Sequence, residues 1–319
     1  MHLIAFLDFR PSRYIFLLIH SMYFLLNVVD ELLSMDMFYR QRQSRRRRTS
    51  QRGGYKQTKK RVNPPKPGNP ICHPRIKSRR QGCLPETVKD QLQPWVGVCG
   101  KNERCLVTHS ALPSKQKQEI LKKYFRPKMP KEWIHDPDMW LSSVDIEAVM
   151  KQYTEAKPAF HFLGVVPIDF SVKDPYDKTV QKCLQPQFCE IDIAGLKKRG
   201  VKYIGAVFNL DPHFKSGSHW IGLFIHLPKK AAYFFDSYGM KPPEYVANFM
   251  RFLDKQLPGI TLKYNERRFQ HGNSECGMYS LYFLIRMMEG EPFEHFCHHA
   301  IDDKYMLEFR KILFDPTPD

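Results

Sequence analysis

The segment that follows Cys276 is apolar on nearly every side, and it limits the possible folds more than any other part of the chain. Residues 278–285 are almost all aromatic or aliphatic. A helix that is hydrophobic all round lies at the centre of a domain, covered by other elements. Gly290 and Pro292 end the pattern. The sequence therefore predicts a central buried helix that opens with a cysteine.

Short runs rich in β-branched and aromatic residues precede this helix and predict a sheet. They cover residues 160–170, 201–210, 219–227, 231–237 and 261–264. The sequence Leu-Pro-Lys-Lys at 227–230 suits a hairpin turn between two of these runs. Amphipathic patterns predict helices at 242–256 and 302–313. Together the elements predict an α+β domain with a central mixed sheet.

The position of Cys276 suits a nucleophile. A cysteine attacks a carbonyl as its thiolate, so it needs exposure and a lowered pKa. Cys276 stands where a loop of Gly, Asn and Ser becomes the central helix, and the unpaired N–H groups and dipole of a helix start favour negative charge. Gly277 leaves room for a substrate. The alternative role, a structural cysteine, fits the middle of a helix better than its first residue.

Three further residues complete a set for thiol catalysis. His219 opens one predicted strand and Asp236 closes the next, so an antiparallel hairpin places them at the same end of neighbouring strands. An aspartate there orients an imidazole that acts as a base. Gln270, six residues before Cys276, can donate its side-chain amide to an oxyanion, beside the Cys276 backbone N–H. Each residue alone has a commoner structural role; the combination predicts a cysteine protease.

The ordered motifs Ser218-His219-Trp220, Phe235-Asp236-Ser237, Gln270 and Glu275-Cys276-Gly277 resemble the ubiquitin-like-protein protease superfamily. That superfamily includes the SUMO-specific proteases and the adenovirus-type endopeptidases. The resemblance runs from about Trp140 to the C-terminus. It is nearest to the versions encoded by large cytoplasmic DNA viruses, on the motifs Trp140-Leu141-Ser142, Asp145-Ile146, Cys83-Leu84-Pro85 and the run 162–170.

The resemblance implies a papain-like thiol protease core with His219 as general base, Asp236 as its orienting residue, Gln270 as oxyanion donor and Cys276 as nucleophile. It also implies that Trp220 covers a narrow channel, so that cleavage follows Gly-Gly or Gly-x-Gly. The viral branch implies processing of structural polyproteins during virion maturation, and the cellular branch implies removal of SUMO or a related modifier. No cofactor is required by this chemistry, although adenovirus-type enzymes use DNA as an activator and a viral peptide could serve likewise.

The formal charge of +17 is concentrated in residues 35–82. This segment has several prolines, few apolar residues and the clusters Arg45-Arg46-Arg47-Arg48 and Lys59-Lys60-Arg61. Such a composition predicts a disordered basic arm. The arm could contact nucleic acid, act as a nuclear-localisation signal or be a solvated linker. Contact with nucleic acid would also allow a third function, that of a catalytically silent nucleic-acid-binding virion protein.

The remaining boundaries follow from composition. Residues 1–34 form an apolar leader whose longest run is shorter than the ~20 residues that a spanning helix needs. Either Met35 or Met37 is the true start, or the leader is a membrane-surface segment. Residues 83–139 predict a helical extension and 140–319 the protease domain, the helix at Ser142 and Asp145 opening with a capping box. The expected location is the virion and host cytoplasm, with the nucleus as the alternative.

The eight cysteines contain no repeated C-x-x-C, which predicts neither a zinc ribbon nor a disulfide framework and favours a reducing compartment. The one local group of potential ligands, at 295–299, contains three histidines and Cys297. Neighbouring histidines on a helix point in different directions, so packing is expected there rather than a metal. His213 and His226 show no partner in the sequence.

Overall fold

A computed structural model describes residues 71–76, 82–92, 96–175 and 183–316, all within the compact unit Lys59–Asp319. The predicted leader and the basic clusters at Arg45 and Lys59 lie outside these residues. None of the helices found in the described ranges has the length and apolar character needed to cross a bilayer.

The described residues contain one five-stranded sheet in the order β1-β2-β3-β4-β5. The strands are β1 (Phe160–Pro167), β2 (Tyr203–Asn209), β3 (Trp220–His226), β4 (Ala231–Phe235) and β5 (Thr261–Tyr264). The outer pairs β1–β2 and β4–β5 are parallel, and the inner pairs β2–β3 and β3–β4 are antiparallel. The predicted mixed sheet is therefore confirmed, with all five strands inside the predicted runs.

Short helices precede the sheet and longer ones cover it. In chain order they are α1 (Glu86–Leu92), α2 (Val96–Cys99), α3 (Glu103–His109), α4 (Ser114–Tyr124), α5 (Ser143–Ala156), α6 (Pro186–Cys189), α7 (Ile193–Lys198), α8 (Glu244–Gln256), α9 (Cys276–Met288), α10 (Phe293–His298) and α11 (Asp303–Leu313). The predicted capping box at the start of α5 is present, with Ser142 and Asp145 each bonding the other's backbone N–H. Helices α7 and α10 were not predicted, because six residues are too few to display a helical period.

Helix α9 is the central buried helix that the sequence predicts, since all of its residues are buried. It packs on one face of the sheet, and α8 packs with the other face. Gly222 on β3 allows the close approach of α9, because a Cβ there would lie 2.9 Å from the Phe283 ring. The packing of α9 on the sheet thus fixes the position of Cys276, the first residue of α9, relative to β3.

The N-terminal helices enclose a small core of their own, which includes Leu92, Leu106 and Ile120. Residues 71–76 belong to this core, so the prediction of a disordered arm is wrong for them. Cys72 is buried and disulfide-bonded to Cys83.

The expectation of unpaired cysteines is also wrong. Two further disulfides join Cys99 to Cys105 and Cys183 to Cys189. Sequence separations of 6 and 11 residues resemble no common motif. The pairs become recognisable only when short helices and turns bring the Cα atoms within disulfide range.

Candidate active site

Cys276 is the first residue of α9, where the backbone N–H groups of the first turn lack helical partners. Glu275 occupies the cap position and its side chain makes no capping hydrogen bond. Cys276 is only 1 % exposed, so the expectation of an exposed thiol is wrong. The thiol lies within the core because its helix is buried throughout, and it is near enough to His219 to raise the pKa of that imidazole.

His219 comes directly before β3 and Asp236 directly after β4. The two side chains therefore meet at the open end of the β3–β4 hairpin. The Nε2 atom of His219 lies 2.9 Å from Oδ1 of Asp236, in a buried contact. Since Nε2 is engaged by the carboxylate, Nδ1 is the ring nitrogen left to exchange a proton with the thiol. Burial lowers the pKa of His219, but the hydrogen bonds and charges of Asp236 and Cys276 outweigh it and raise the pKa to about 9. The imidazole therefore holds its proton at neutral pH.

Asp236 is itself held in place by its surroundings. Its backbone N–H donates to Oδ1 of Asn265 at 2.9 Å, and Nδ2 of Asn265 donates to its carbonyl at 2.6 Å. The backbone N–H of Tyr238 donates to Oδ1 of Asp236 at 2.8 Å. The Tyr238 ring stacks on His219, with the centroids 4.7 Å apart. Asn265 and Tyr238 were missed by sequence reasoning, because neither lies within a motif.

Gln270 is fully buried, and its amide has one satisfied end and one free end. The hydroxyl of Ser237 donates to Oε1 of Gln270 at 2.7 Å. Within the described part of the chain, Nε2 of Gln270 is buried and has no hydrogen-bond partner. A buried donor without a partner is costly and calls for an explanation. Because Oε1 is engaged by Ser237, Nε2 is the amide atom left to donate to a ligand.

Trp220 and Gly277, the residue after Cys276, pack together. The indole Nε1 of Trp220 donates to the carbonyl of Leu141 at 2.9 Å. A Cβ at Gly277 would lie 3.0 Å from Cβ of Leu141 and 3.2 Å from Cδ1 of Trp220. Open space for a substrate is therefore only part of the reason for a glycine here: the position is small because Leu141 and Trp220 occupy the space beside it.

Two acidic residues fasten the loop that leads to Cys276. Glu275 forms a buried two-pronged ion pair with Arg310, at 3.1 and 2.7 Å. Asp303 accepts from the backbone N–H groups of His271 and Gly272, at 3.0 and 2.8 Å. Arg310 and Asp303 both belong to α11, which the sequence analysis predicted only as an amphipathic helix.

The other titratable groups are separate from this site. His213, for which no partner was evident, lies 2.7 Å from Oδ2 of Asp169, so that expectation is wrong. In the group at 295–299, burial raises the pKa of Cys297 to about 12, as befits a packed thiol.

Cys99, Cys105 and His109 place three potential ligand atoms within 4.8 Å of one another. The two sulfurs are bonded to each other as a disulfide. Neither can then act as a thiolate ligand.

The geometry around Cys276 is that of a thiol protease, and the comparisons with known proteins agree. The sequence profile of the Ulp1 protease family, C-terminal catalytic domain, matches residues 198–316. The R355 protein of Acanthamoeba polyphaga mimivirus, named as a thiol protease, is 33% identical over 233 residues, covering 69% of this chain and 71% of that protein. The chain belongs to the Ulp1 protease family. It is a cysteine-type peptidase.

Two further likenesses of this Ulp1-family chain are to a protein of African swine fever virus. The sequence named SUMO-1 cysteine protease in that virus is 24% identical over 255 residues, which cover 74% of this chain and 92% of that protein. A crystal structure of the African swine fever virus protease superposes with a TM-score of 0.61 and 22% identity, covering 77% of this chain and 96% of the other. The shared fold extends beyond the profile match and confirms the predicted α+β protease core.

Proposed function

We propose that this peptidase cleaves proteins after Gly-Gly or Gly-x-Gly, with Cys276 as nucleophile, His219 as base, Asp236 as orienting residue and Gln270 as oxyanion donor. The observation that carries the proposal is the buried, unpartnered Nε2 of Gln270. The other end of the amide, Oε1, accepts from the hydroxyl of Ser237, the residue next to Asp236. A structural glutamine would use both ends of its amide, whereas an oxyanion donor keeps one free until the substrate arrives.

The residues support an acyl-transfer sequence. With its proton already held on the His219 imidazole, the Cys276 sulfur attacks the scissile carbonyl carbon as a thiolate. The carbonyl oxygen gains negative charge and accepts hydrogen bonds from Nε2 of Gln270 and from the Cys276 backbone N–H. His219 then gives its proton to the leaving amine, and a thioester remains. Water, deprotonated by His219, hydrolyses the thioester and frees the thiol.

The packing beside Cys276 supports small residues before the scissile bond. Leu141 and Trp220 close against Gly277, and the Trp220 indole is held by its hydrogen bond to Leu141. A substrate that reaches the thiol has to pass this contact. Side chains larger than hydrogen would meet the indole, so glycine is the residue that the channel accepts.

Two substrates fit this specificity. Processing of viral structural polyproteins during virion maturation is the one we favour, because the relatives described above are viral proteins. The second is removal of SUMO or a similar modifier, which the name of the African swine fever virus relative favours. In either case no cofactor takes part in the chemistry, and DNA or a viral peptide could act as an activator. We place the activity in the virion and host cytoplasm, with the nucleus as the alternative for deconjugation.

The proposal is tested with fluorogenic peptides that carry Gly-Gly or Gly-x-Gly before the scissile bond, beside matched peptides with Ala for Gly and a SUMO fusion. We expect cleavage of the glycine peptides, and a drop on the order of 10⁶-fold in kcat for Cys276→Ala. Cys297→Ala is the matched control, because Cys297 is the other free cysteine in the described residues.

Each outcome assigns the function. Cleavage of peptides but not of the fusion supports maturation, and cleavage of the fusion supports deconjugation. Equal cleavage of the alanine peptides would contradict the glycine specificity. No cleavage of either substrate, with DNA added as well, would favour the third function, a silent nucleic-acid-binding protein.

A further inference from the structure

The strands of the sheet end on two opposite sides, and only one of these sides carries the peptidase site. His219 precedes β3 and Asp236 follows β4, so both lie at the same edge. The β3–β4 turn lies at the other edge, because His226 pairs with Ala231. The first residues of β1, β2 and β5 lie at that edge too, through the pairs Phe160↔Tyr203, Tyr203↔His226 and Ala231↔Thr261. We call this second side, which is formed by strand ends and the β3–β4 turn and not by an edge strand, the distal edge.

Seven exposed basic side chains line the distal edge. They come from the residue before β2, the segment before β1, the end of α7 and the β3–β4 turn: Lys157, Lys197, Lys198, Arg199, Lys202, Lys229 and Lys230. In the part of the chain that the structure describes, no carboxylate forms an ion pair with any of them. Solvated lysines usually alternate with acidic partners, so a run of seven without one is a local excess of positive charge.

Backbone hydrogen bonds hold these residues in one row. The N–H of Lys202 donates to Ala159, two residues after Lys157, at 2.8 Å. The N–H of Leu227 donates to the carbonyl of Lys202 at 2.9 Å, and the N–H of Thr261 donates to the carbonyl of Lys230 at 3.0 Å. The row therefore crosses from β1 to β4, which is about 15 Å at the usual ~4.8 Å between strands. Its spacing is set by the sheet rather than by flexible loops.

The charge is felt by the histidines of the same edge. Burial lowers the pKa of His161, and the Arg199 guanidinium lowers it further. Burial and then the Lys229 ammonium act in the same direction on the pKa of His226. On the β5 side, the Asp254 carboxylate accepts from the backbone N–H of Gly259 at 2.9 Å. The row itself contains no negative group.

We propose that the distal edge binds duplex nucleic acid through its phosphates. A duplex carries one phosphate charge per ~1.7 Å of axis, so a row about 15 Å long faces several phosphates at once. Single strands are usually bound on exposed aromatic side chains. At this edge Phe160 is buried, and Tyr203 is stacked on Phe224 and packed against His226. Backbone contact without base stacking is what the edge offers.

Binding at the distal edge leaves the peptidase site free. β3 has seven residues, and at ~3.3 Å per residue its two ends lie about 20 Å apart. A duplex held at the turn therefore does not cover His219 at the start of the strand. The protein could cleave substrates while bound to nucleic acid, and its local concentration near nucleic-acid-associated proteins would rise.

The test measures binding of a short DNA duplex to the full chain at several salt concentrations. Because the arm is also basic, its two clusters are replaced by Gln in every sample, namely Arg45, Arg46, Arg47, Arg48, Lys59, Lys60 and Arg61. Three edge residues are then changed together, as Lys198→Gln, Lys202→Gln and Lys229→Gln. Each phosphate contact contributes ~0.9 to the slope of log K against log salt, so we expect the slope to become shallower by about three. Peptide cleavage should be unchanged.

The matched control is Lys115→Gln, Lys122→Gln and Lys123→Gln on α4, which removes the same charge from exposed positions elsewhere. Equal slopes for the edge and control triples would overturn the proposal. A second measurement needs no variant: duplex should protect Lys202 and Lys229 of the unaltered chain from acetylation. Absence of protection, or equal binding of poly-glutamate and duplex in the arm-neutral chain, would likewise count against the edge as a nucleic-acid site.

Discussion

Ser237 follows Asp236 in the chain and hydrogen-bonds the side-chain amide of Gln270. Its hydroxyl donates to Oε1 of Gln270, and its carbonyl accepts from the backbone N–H of Gln270 at 2.9 Å. An amide with Oε1 turned towards the substrate would repel an oxyanion. In the observed orientation the serine hydroxyl donates to Oε1, which leaves Nε2 as the donor of the amide. Ser237 is thus a positioning residue.

Removing this hydroxyl should weaken the proposed oxyanion site without removing it. We expect Gln270→Ala to lower kcat by about 10²–10³-fold, as the loss of one oxyanion donor does. Ser237→Ala should lower kcat by roughly 10-fold, with a smaller effect on KM. In the Gln270→Ala background it should have no further effect on kcat, since residues that act through one another are not additive. An additive loss in the double variant would show that Ser237 acts in some other way.

The charge state of His219 sets the expected pH dependence. Its pKa is raised from 6.5 to about 9, so the charged imidazole is favoured in the folded protein. Its contribution to stability is complete below about pH 6.5 and is lost as the pH rises through about 9. The proton that goes to the leaving amine is lost over the same upper range. We expect kcat/KM to fall above about pH 9.

The variant Asp236→Asn tests whether the Asp236 carboxylate causes this fall in kcat/KM, the alkaline limb of the pH profile. Removing the carboxylate charge should move the alkaline limb to lower pH by about one unit or more, and it should lower kcat as well. The pH profile of the variant, measured with the Gly-Gly peptide, checks this. A limb that stays in place would mean that the carboxylate does not set the imidazole's proton affinity.

The motif residues of the site could be predicted because each stands at the boundary of a strand or helix. Asn265 and Ser237 could not be assigned roles in the same way. Asn265 reaches Asp236 from 29 positions away, through the parallel pairing of β4 with β5. Sequence periodicity gives the existence of β5 but not its neighbour in the sheet, so the contact has no local signal.

At the scale of elements, the start of α9 is fitted against β3 and the segment before α5. Gly277 is the point of contact, with Leu141 on one side and Trp220 on the other. This fit keeps the Trp220 indole beside Cys276. The pattern of apolar residues predicted that α9 is buried. It did not predict which residues contact Gly277, because a helix that is apolar on all sides does not show which face packs on which neighbour.

A methyl group at Gly277 should therefore disturb the channel. Gly277→Ala places Cβ at 3.0 Å from Leu141 and should lower the free energy of unfolding by about 1–3 kcal/mol, as overpacking does. Displacement of Trp220 should also lower kcat/KM for glycine peptides. Gly272→Ala, in the loop before α9, is the matched control, because its Cβ would meet nothing closer than 3.5 Å. Equal urea midpoints and kcat/KM for the two variants would contradict this account.

At the scale of the whole molecule, residues 71–76 connect the N-terminal helices to the protease domain. The N–H of His73 donates to Tyr124 at 2.9 Å, and Nη2 of Arg75 lies 2.7 Å from the Glu155 carboxylate on α5. The basic composition of the surrounding segment predicted disorder. The average composition of residues 35–82 does not show that residues 71–76 are ordered. Their order depends on two local features, the Cys72–Cys83 disulfide and the buried His73.

Two truncations separate this stretch from the rest of the arm. Deletion of residues 1–69 should leave the urea midpoint unchanged, because it keeps the contacts that residues 71–76 make with the other described residues. Deletion of residues 1–82 removes the Cys72–Cys83 disulfide and the buried His73, and should lower the free energy of unfolding by about 2–4 kcal/mol or more. Cys72→Ser in the full chain separates the disulfide from the packing, since it retains His73 and Arg75. If both truncations unfolded at the same urea concentration, residues 71–76 would contribute nothing to stability, and the domain would begin at Cys83.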